Sequence, residues 1–238
     1  MPLVLHGFTE DDTAWAETCP LPGADYALLP GHGWQPCRQP GIRELAADLA
    51  TALPVGGGDV VGYSMGGRIA LRMALDHPER VRRLVLVSSG PGWRAGDERT
   101  RRTRLDEALA QILEEDGLGP FVAWWESNPV LKPARPFTAG MTARLRARRL
   151  SHDPCGLAQA LRAYGSGTME GLWDRLPDIR VPTLLIAGEA DARYRAVMGE
   201  MAERMPKATL TVIPAAGHAI HREQPGPLGE AIRGWLAA

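Results

Sequence analysis

The sequence predicts an α/β fold: a mostly parallel β-sheet with helices on both faces. Three observations carry this. Short, continuous apolar runs alternate with stretches of helical periodicity, which is the pattern of βα units. The apolar runs lack polar alternation, as strands do when both sheet faces are covered. One long stretch, Gly92 to Gly171, interrupts the rhythm and holds helical patterns only.

The elements follow in order. Pro2 to Leu5 is an apolar run that ends at His6-Gly7-Phe8, a strand leading into a tight turn. Tyr26 to Leu29 is a second strand, closed by Pro30-Gly31-His32-Gly33. Ile42, Leu45, Ala46, Leu49 and Leu53 share one helical face. Asp59 to Tyr63 is a strand, Met65 to Leu75 a helix stopped at His77-Pro78, and Val81 to Val87 a further strand. Val181 to Ala187 and Thr209 to Ile213 are the last two strands, and Gln224 to Leu236 is a closing helix. Within the interruption, helical spacing covers about 98–115, 120–126, 138–150 and 156–164. Residues 1–91 and 172–238 are therefore expected to form the core, with 92–171 inserted as a helical lid.

Composition narrows the function classes. With 45% hydrophobic and 23% charged residues, 238 residues suffice for a large apolar core and exclude a disordered chain. No apolar run reaches the roughly 18 residues of a membrane span, and the start, Met1-Pro2-Leu3, has no basic region ahead of an apolar one. A net charge of −1 argues against a nucleic-acid partner. Three scattered cysteines, Cys19, Cys37 and Cys155, form neither a disulfide framework nor a zinc site, so a reducing cytoplasm is expected. The cations are lopsided, 25 Arg against 2 Lys. Much of that bias needs no functional cause. Where the arginines cluster, on 99–104 and 144–149 of the insertion, they are suited to bidentate grip of carboxylates.

The strongest local signal is Gly62-Tyr63-Ser64-Met65-Gly66 between a strand and a helix. There a serine sits on a sharp turn, and small flanking residues allow close backbone approach. A serine hydroxyl needs a base, and the base an orienting acid. Asp191 follows a strand in Gly188-Glu189-Ala190-Asp191, and His218 follows another in Gly217-His218. Carboxyl ends of parallel strands converge on one rim. Glu189 stands second to Asp191, and His221 second to His218; His6, His32, His77 and His152 read as structural. Backbone N–H groups of Met65 and Phe8 are the candidates for stabilising developing negative charge.

These segments together resemble the α/β-hydrolase superfamily over nearly the whole chain. That family usually has two strands ahead of the one before His6-Gly7, so a sheet shortened at this edge is expected. A narrower resemblance is to the 2-succinyl-6-hydroxy-2,4-cyclohexadiene-1-carboxylate synthases, pyruvate-releasing lyases of menaquinone biosynthesis. It rests on His6-Gly7-Phe8 with Asp12 and Trp15, on Gly62 to Arg68, on Phe121-Val122 with Trp125 and Pro129, and on Gly217-His218 with His221-Arg222-Glu223-x-Pro225. In that family three arginines bind a tricarboxylate. By position they are Arg68, Arg102 and Arg149, with neighbouring arginines crowding the last two, and Tyr63 and Trp125 line the pocket. The resemblance implies a small polyanionic substrate, elimination driven by Ser64 as base, and no metal or organic cofactor. A serine carboxylesterase using the same three residues covalently, a carbon–carbon bond hydrolase, and a non-catalytic binding protein on the same fold are the rival expectations.

Overall fold

The computed structural model describes residues 1–36 and 41–238; Cys37 lies outside the described residues. The elements run β1 (Pro2–Leu5), α1 (Thr13–Thr18), β2 (Asp25–Ala27), α2 (Ile42–Ala52), β3 (Gly58–Tyr63), α3 (Met65–Asp76) and β4 (Val81–Val87). Next come α4 (Asp97–Glu115), α5 (Leu118–Glu126), a 3-10 turn at Pro129–Leu131, α6 (Ala139–Arg149), α7 (Pro154–Tyr164) and a 3-10 turn at Trp173–Asp178. The chain closes with β5 (Thr183–Gly188), α8 (Ala192–Arg204), β6 (Ala208–Ile213), α9 (Ile220–Glu223) and α10 (Pro225–Ala237).

Among the described residues the sheet has six strands in the order β2-β1-β3-β4-β5-β6. All five neighbouring pairs are parallel. Successive side chains of a strand point to opposite faces, and the sequence uses that fully. Leu3, Leu5, Val60, Leu84 and Leu86 join α2, α3 and α8 on one side. Val4, Val61, Val85, Val87 and Ile186 join Trp15 of α1 and Ile232 of α10 on the other. A third apolar cluster, with Leu109, Leu113, Phe121, Leu157 and Leu161, lies among the helices between β4 and β5.

Three sequence expectations shift. The second strand ends at Ala27 rather than Leu29, because the Leu29 N–H leaves the ladder and donates to His6 Nε2 at 3.0 Å. The fifth begins at Thr183 rather than Val181, since Pro182 has no N–H to give. Helices α1 and α8, the latter capped by the Asp191 side chain accepting from Tyr194 N at 3.1 Å, lack a strong apolar period and were not expected.

Leu86 in β4 is fully buried at the centre of the sheet, whereas Val55 is 97% exposed. Leu86→Ala is expected to lower stability by about 2–5 kcal/mol, and Val55→Ala to change it by less than about 0.5 kcal/mol. Urea unfolding followed by circular dichroism checks this; equal midpoints would contradict the burial assignment.

Candidate active site

Ser64 sits between β3 and α3 with φ 49° and ψ −107°, a backbone conformation that side-chain-bearing residues rarely adopt. Glycines make it possible. A Cβ on Gly66 would lie 2.3 Å from Leu5 O and 2.6 Å from His6 O. One on Gly62 would meet Gly66 O at 2.6 Å, and one on Gly67 would meet Ser89 Cβ at 2.4 Å. The strained turn is pinned by Ser64 N–H donating to Val87 O (2.9 Å), Gly66 N–H to His6 O (3.1 Å) and Ser89 Oγ to Ser64 O (2.8 Å).

Ser64 Oγ is 3.2 Å from His218 Nε2, and His218 Nδ1 is 2.8 Å from Asp191 Oδ2. With the proton on Nδ1, His218 donates to Asp191 and accepts from Ser64, the arrangement of a base held in one tautomer. Asp191 and His218 are buried. The aromatic ring of Tyr194 packs on His218, with centroids 4.7 Å apart. Glu189, the second candidate acid, instead accepts from Ala215 N at 3.0 Å. His221 pairs with Glu10 at 3.1 Å and lies away from Ser64 Oγ's hydrogen bond. The N–H groups of Phe8 and Met65 have no protein acceptor among the described residues.

A cavity of about 980 Å³ opens above Ser64. Nine of the ten residues singled out in the sequence line it: Phe8, Tyr63, Ser64, Met65, Arg68, Arg102, Trp125, Arg149 and His218. Asp191 stands behind His218. Arg68 donates to Tyr164 O at 3.2 Å, while its Nε has no partner and it forms no ion pair among the described residues. Burial works against its charge and lowers its pKa. Arg102 pairs with Asp106 (2.7 Å) and Arg149 with Glu126 (2.9 Å), so each brings its own acid. Several of the crowding arginines are spoken for elsewhere: Arg99 by the Gly167 carbonyl, Arg146 by Glu126, Arg148 by Asp11 and Glu17. Trp125 packs edge-on against Phe8 and stacks on Phe121. No group of three or more His, Cys, Asp or Glu side chains among the described residues is placed to hold a metal ion.

Glu10, Trp93, Arg193, Tyr194 and Arg222 also line the cavity and were not singled out as site residues. Tyr194 and Arg193 ride on the unanticipated helix α8. An acid directly before a helix at Asp191 was the available signal. Nothing in the linear sequence marks Glu10 as buried.

A family model described as the alpha/beta hydrolase family matches residues 3–231. The chain belongs to this family. Among curated relatives, a Bacillus subtilis protein provisionally named 2-succinyl-6-hydroxy-2,4-cyclohexadiene-1-carboxylate synthase is 34% identical, over 98% of this chain and 89% of its own. The Escherichia coli protein named 2-succinyl-6-hydroxy-2,4-cyclohexadiene-1-carboxylate synthase is 30% identical over 93% of this chain and 87% of its own. The solved structure of MenH from S. aureus superposes with a TM-score of 0.92 at 32% identity, covering 99% of this chain and 92% of that one.

His6, His32, His152 and His221 of this α/β hydrolase are buried, and burial lowers the pKa of each below the ordinary 6.5. The unfolded chain takes up protons near pH 6.5 that the native state refuses. Stability is thus fully present above that pH and falls as the pH drops below it. The urea midpoint is expected to be lower at about pH 5.5 than at about pH 7.5; an unchanged midpoint would mean that these rings protonate freely in place.

Proposed function

We propose that this chain is a carbon–oxygen lyase that eliminates pyruvate from a tricarboxylate enolpyruvyl-cyclohexene to give 2-succinyl-6-hydroxy-2,4-cyclohexadiene-1-carboxylate. The observation that carries it is Arg68, a partly buried guanidinium one helical turn from Ser64, with an unpaired Nε and no ion-pair partner among the described residues. A hydrolase of neutral esters gains nothing from that charge. A polyanion gains a charge-assisted bond. The similarity to the synthases supports the same reading.

In this reading Ser64, its proton drawn to His218 Nε2, removes a proton from the ring carbon beside the succinyl ketone. The carbonyl oxygen takes up the developing negative charge, and the amides of Phe8 and Met65 meet it. The electron pair returns through the ring, moves the existing double bond and breaks the carbon–oxygen bond to the enolpyruvyl group. The proton held on His218 goes back to the leaving group, which departs as pyruvate. Asp191 holds the imidazole and stabilises its charged form. Arg68, Arg102 and Arg149 take the three carboxylates, and Tyr63 and Trp125 shape the walls. Base and oxyanion donors suffice for this chemistry, with no cofactor.

Residues 92–171 serve as a lid on the core formed by 1–91 and 172–238. Their own apolar cluster and the wall of arginines and tryptophans that they present to the cavity support this. No helix among the described residues is long and apolar enough to cross a membrane. Free Cys19 and Cys155 suit a reducing cytoplasm. The partner is this small polyanion, not nucleic acid.

Pyruvate release from the enolpyruvyl substrate generated in situ tests the proposal, with p-nitrophenyl acetate hydrolysis measured alongside. Ser64→Ala is expected to lower kcat by roughly 10²–10⁴-fold. Arg68→Ala removes a bond of about 1.5–3 kcal/mol, so kcat/KM should fall roughly 10- to 100-fold. Release at only the spontaneous rate beside brisk ester cleavage that survives Arg68→Ala would replace the lyase by an esterase.

A further inference from the structure

Directly after the turn that carries the Phe8 amide stands Glu10, whose side chain is only 4% exposed. Its Oε2 accepts from Gly7 N–H at 3.2 Å, and its own N–H donates to Gly7 O at 3.2 Å. Its Oε1 receives Arg222 at 2.6 Å and His221 Nε2 at 3.1 Å. Between the two ends of this bracket, Thr9 is held at φ 64°. A Cβ on Gly7 would lie 2.7 Å from the Tyr63 ring, so the turn is wedged on its other side as well.

The partners of Glu10 come from α9, which begins two residues after His218. His221 stacks on Trp15 with a centroid separation of 5.0 Å and packs on Tyr63 at 4.6 Å. Glu223 of the same short helix accepts from Gly217 N–H at 2.8 Å, just before His218. The segment bearing the base and the turn bearing the amide thus meet at one buried carboxylate.

A carboxylate at this place is otherwise unfavourable. It sits beside the point where the proposed reaction develops negative charge, and like charges in a buried site repel strongly. Arg222 offsets that cost. Although burial pushes the Glu10 carboxyl up, Arg222 and His221 outweigh it and hold the group well below the usual carboxylate range. What the acid supplies is an acceptor for a buried N–H that would otherwise be unpaired, and with it a fixed direction for the next amide along.

Resting on the reading of the Phe8 amide as an oxyanion donor, we propose that Glu10 is a positioning residue: a buried ionic staple that holds the His6–Gly7–Phe8 turn against the segment that carries His218. It touches no reacting atom and acts through the Phe8 amide.

The test uses Glu10→Gln in the full chain, a change of charge and acceptor capacity at constant shape. A fluorophosphonate probe reports the Ser64 site without regard to the natural substrate. The labelling rate constant and kcat for pyruvate release are expected to fall together by about tenfold or more. KM should stay within about threefold and the final labelling stoichiometry should be unchanged. A role in folding alone would lower the stoichiometry and leave the rate constant per labelled site alone; a rate constant within about twofold of the parent overturns the staple. If Glu10→Gln does not fold, Glu10→Gln with Arg222→Met removes both charges together, and the same rates decide. No labelling of the parent protein would overturn the site reading and the staple with it. Labelling without pyruvate release would overturn the substrate reading alone, and the staple would then stand or fall on labelling rates.

Discussion

Everything at the rim depends on how closely α3 approaches the ends of β1 and β3. Gly66 lies against the carbonyls of Leu5 and His6, and Gly67 against Ser89, at separations that no side chain tolerates. That contact forces Ser64 to φ 49° and lifts its hydroxyl towards His218. Because Gly66 N–H donates to His6 O, the same contact fixes the carboxyl end of β1 and so the start of the Phe8 turn. The turn that bears Ser64 and the turn that bears the Phe8 amide are one packed unit. Larger residues at 62, 66 or 67 would separate them before they disturbed the rest of the sheet.

Electrostatics follow a pattern around that unit. Arg102, Arg149 and Arg222 line the cavity, and each is paired with an acid: Asp106, Glu126 and Glu10. An arginine has five donors in a planar fork, so one edge can be held by the protein while another faces a ligand. The acid orients the guanidinium, limits the cost of burying it, and lowers the side-chain entropy lost when a carboxylate arrives. Arg68, closest in the chain to Ser64, differs from these three in having no ion-pair partner among the described residues.

Much of this was legible in the sequence because it is local. Each strand is an apolar run, and Gly-x-Ser-x-Gly between β3 and α3 announces a turn that only such residues can form. Gly188 to Asp191 and Gly217-His218 each follow a strand, so topology alone brings them to one rim. The misses are tertiary. Leu29 continues the apolar run of β2, yet its N–H is taken by His6 from the neighbouring turn. Helix α8 has a weak apolar face, and its cap, Asp191, also serves His218. Nothing in the sequence marks Asp106 as buried, yet it is enclosed and pairs with Arg102. Glu10 looks like one of several acids in a polar turn, and only the return of α9 from the far end of the chain buries it.

The solitary charge of Arg68 ties ligand binding to the lifetime of the fold. With burial opposing its charge and Nε unpaired, it holds the empty protein below the stability its packing would otherwise give. An anion that reaches this guanidinium removes that handicap in the native state alone, and by mass action the native population rises with the anion's concentration over its dissociation constant. Melting temperature then becomes a gauge of cavity occupancy. Resistance to unfolding and to proteolysis inside a cell would track how much anionic metabolite is on hand, and an idle copy would be the one cleared first.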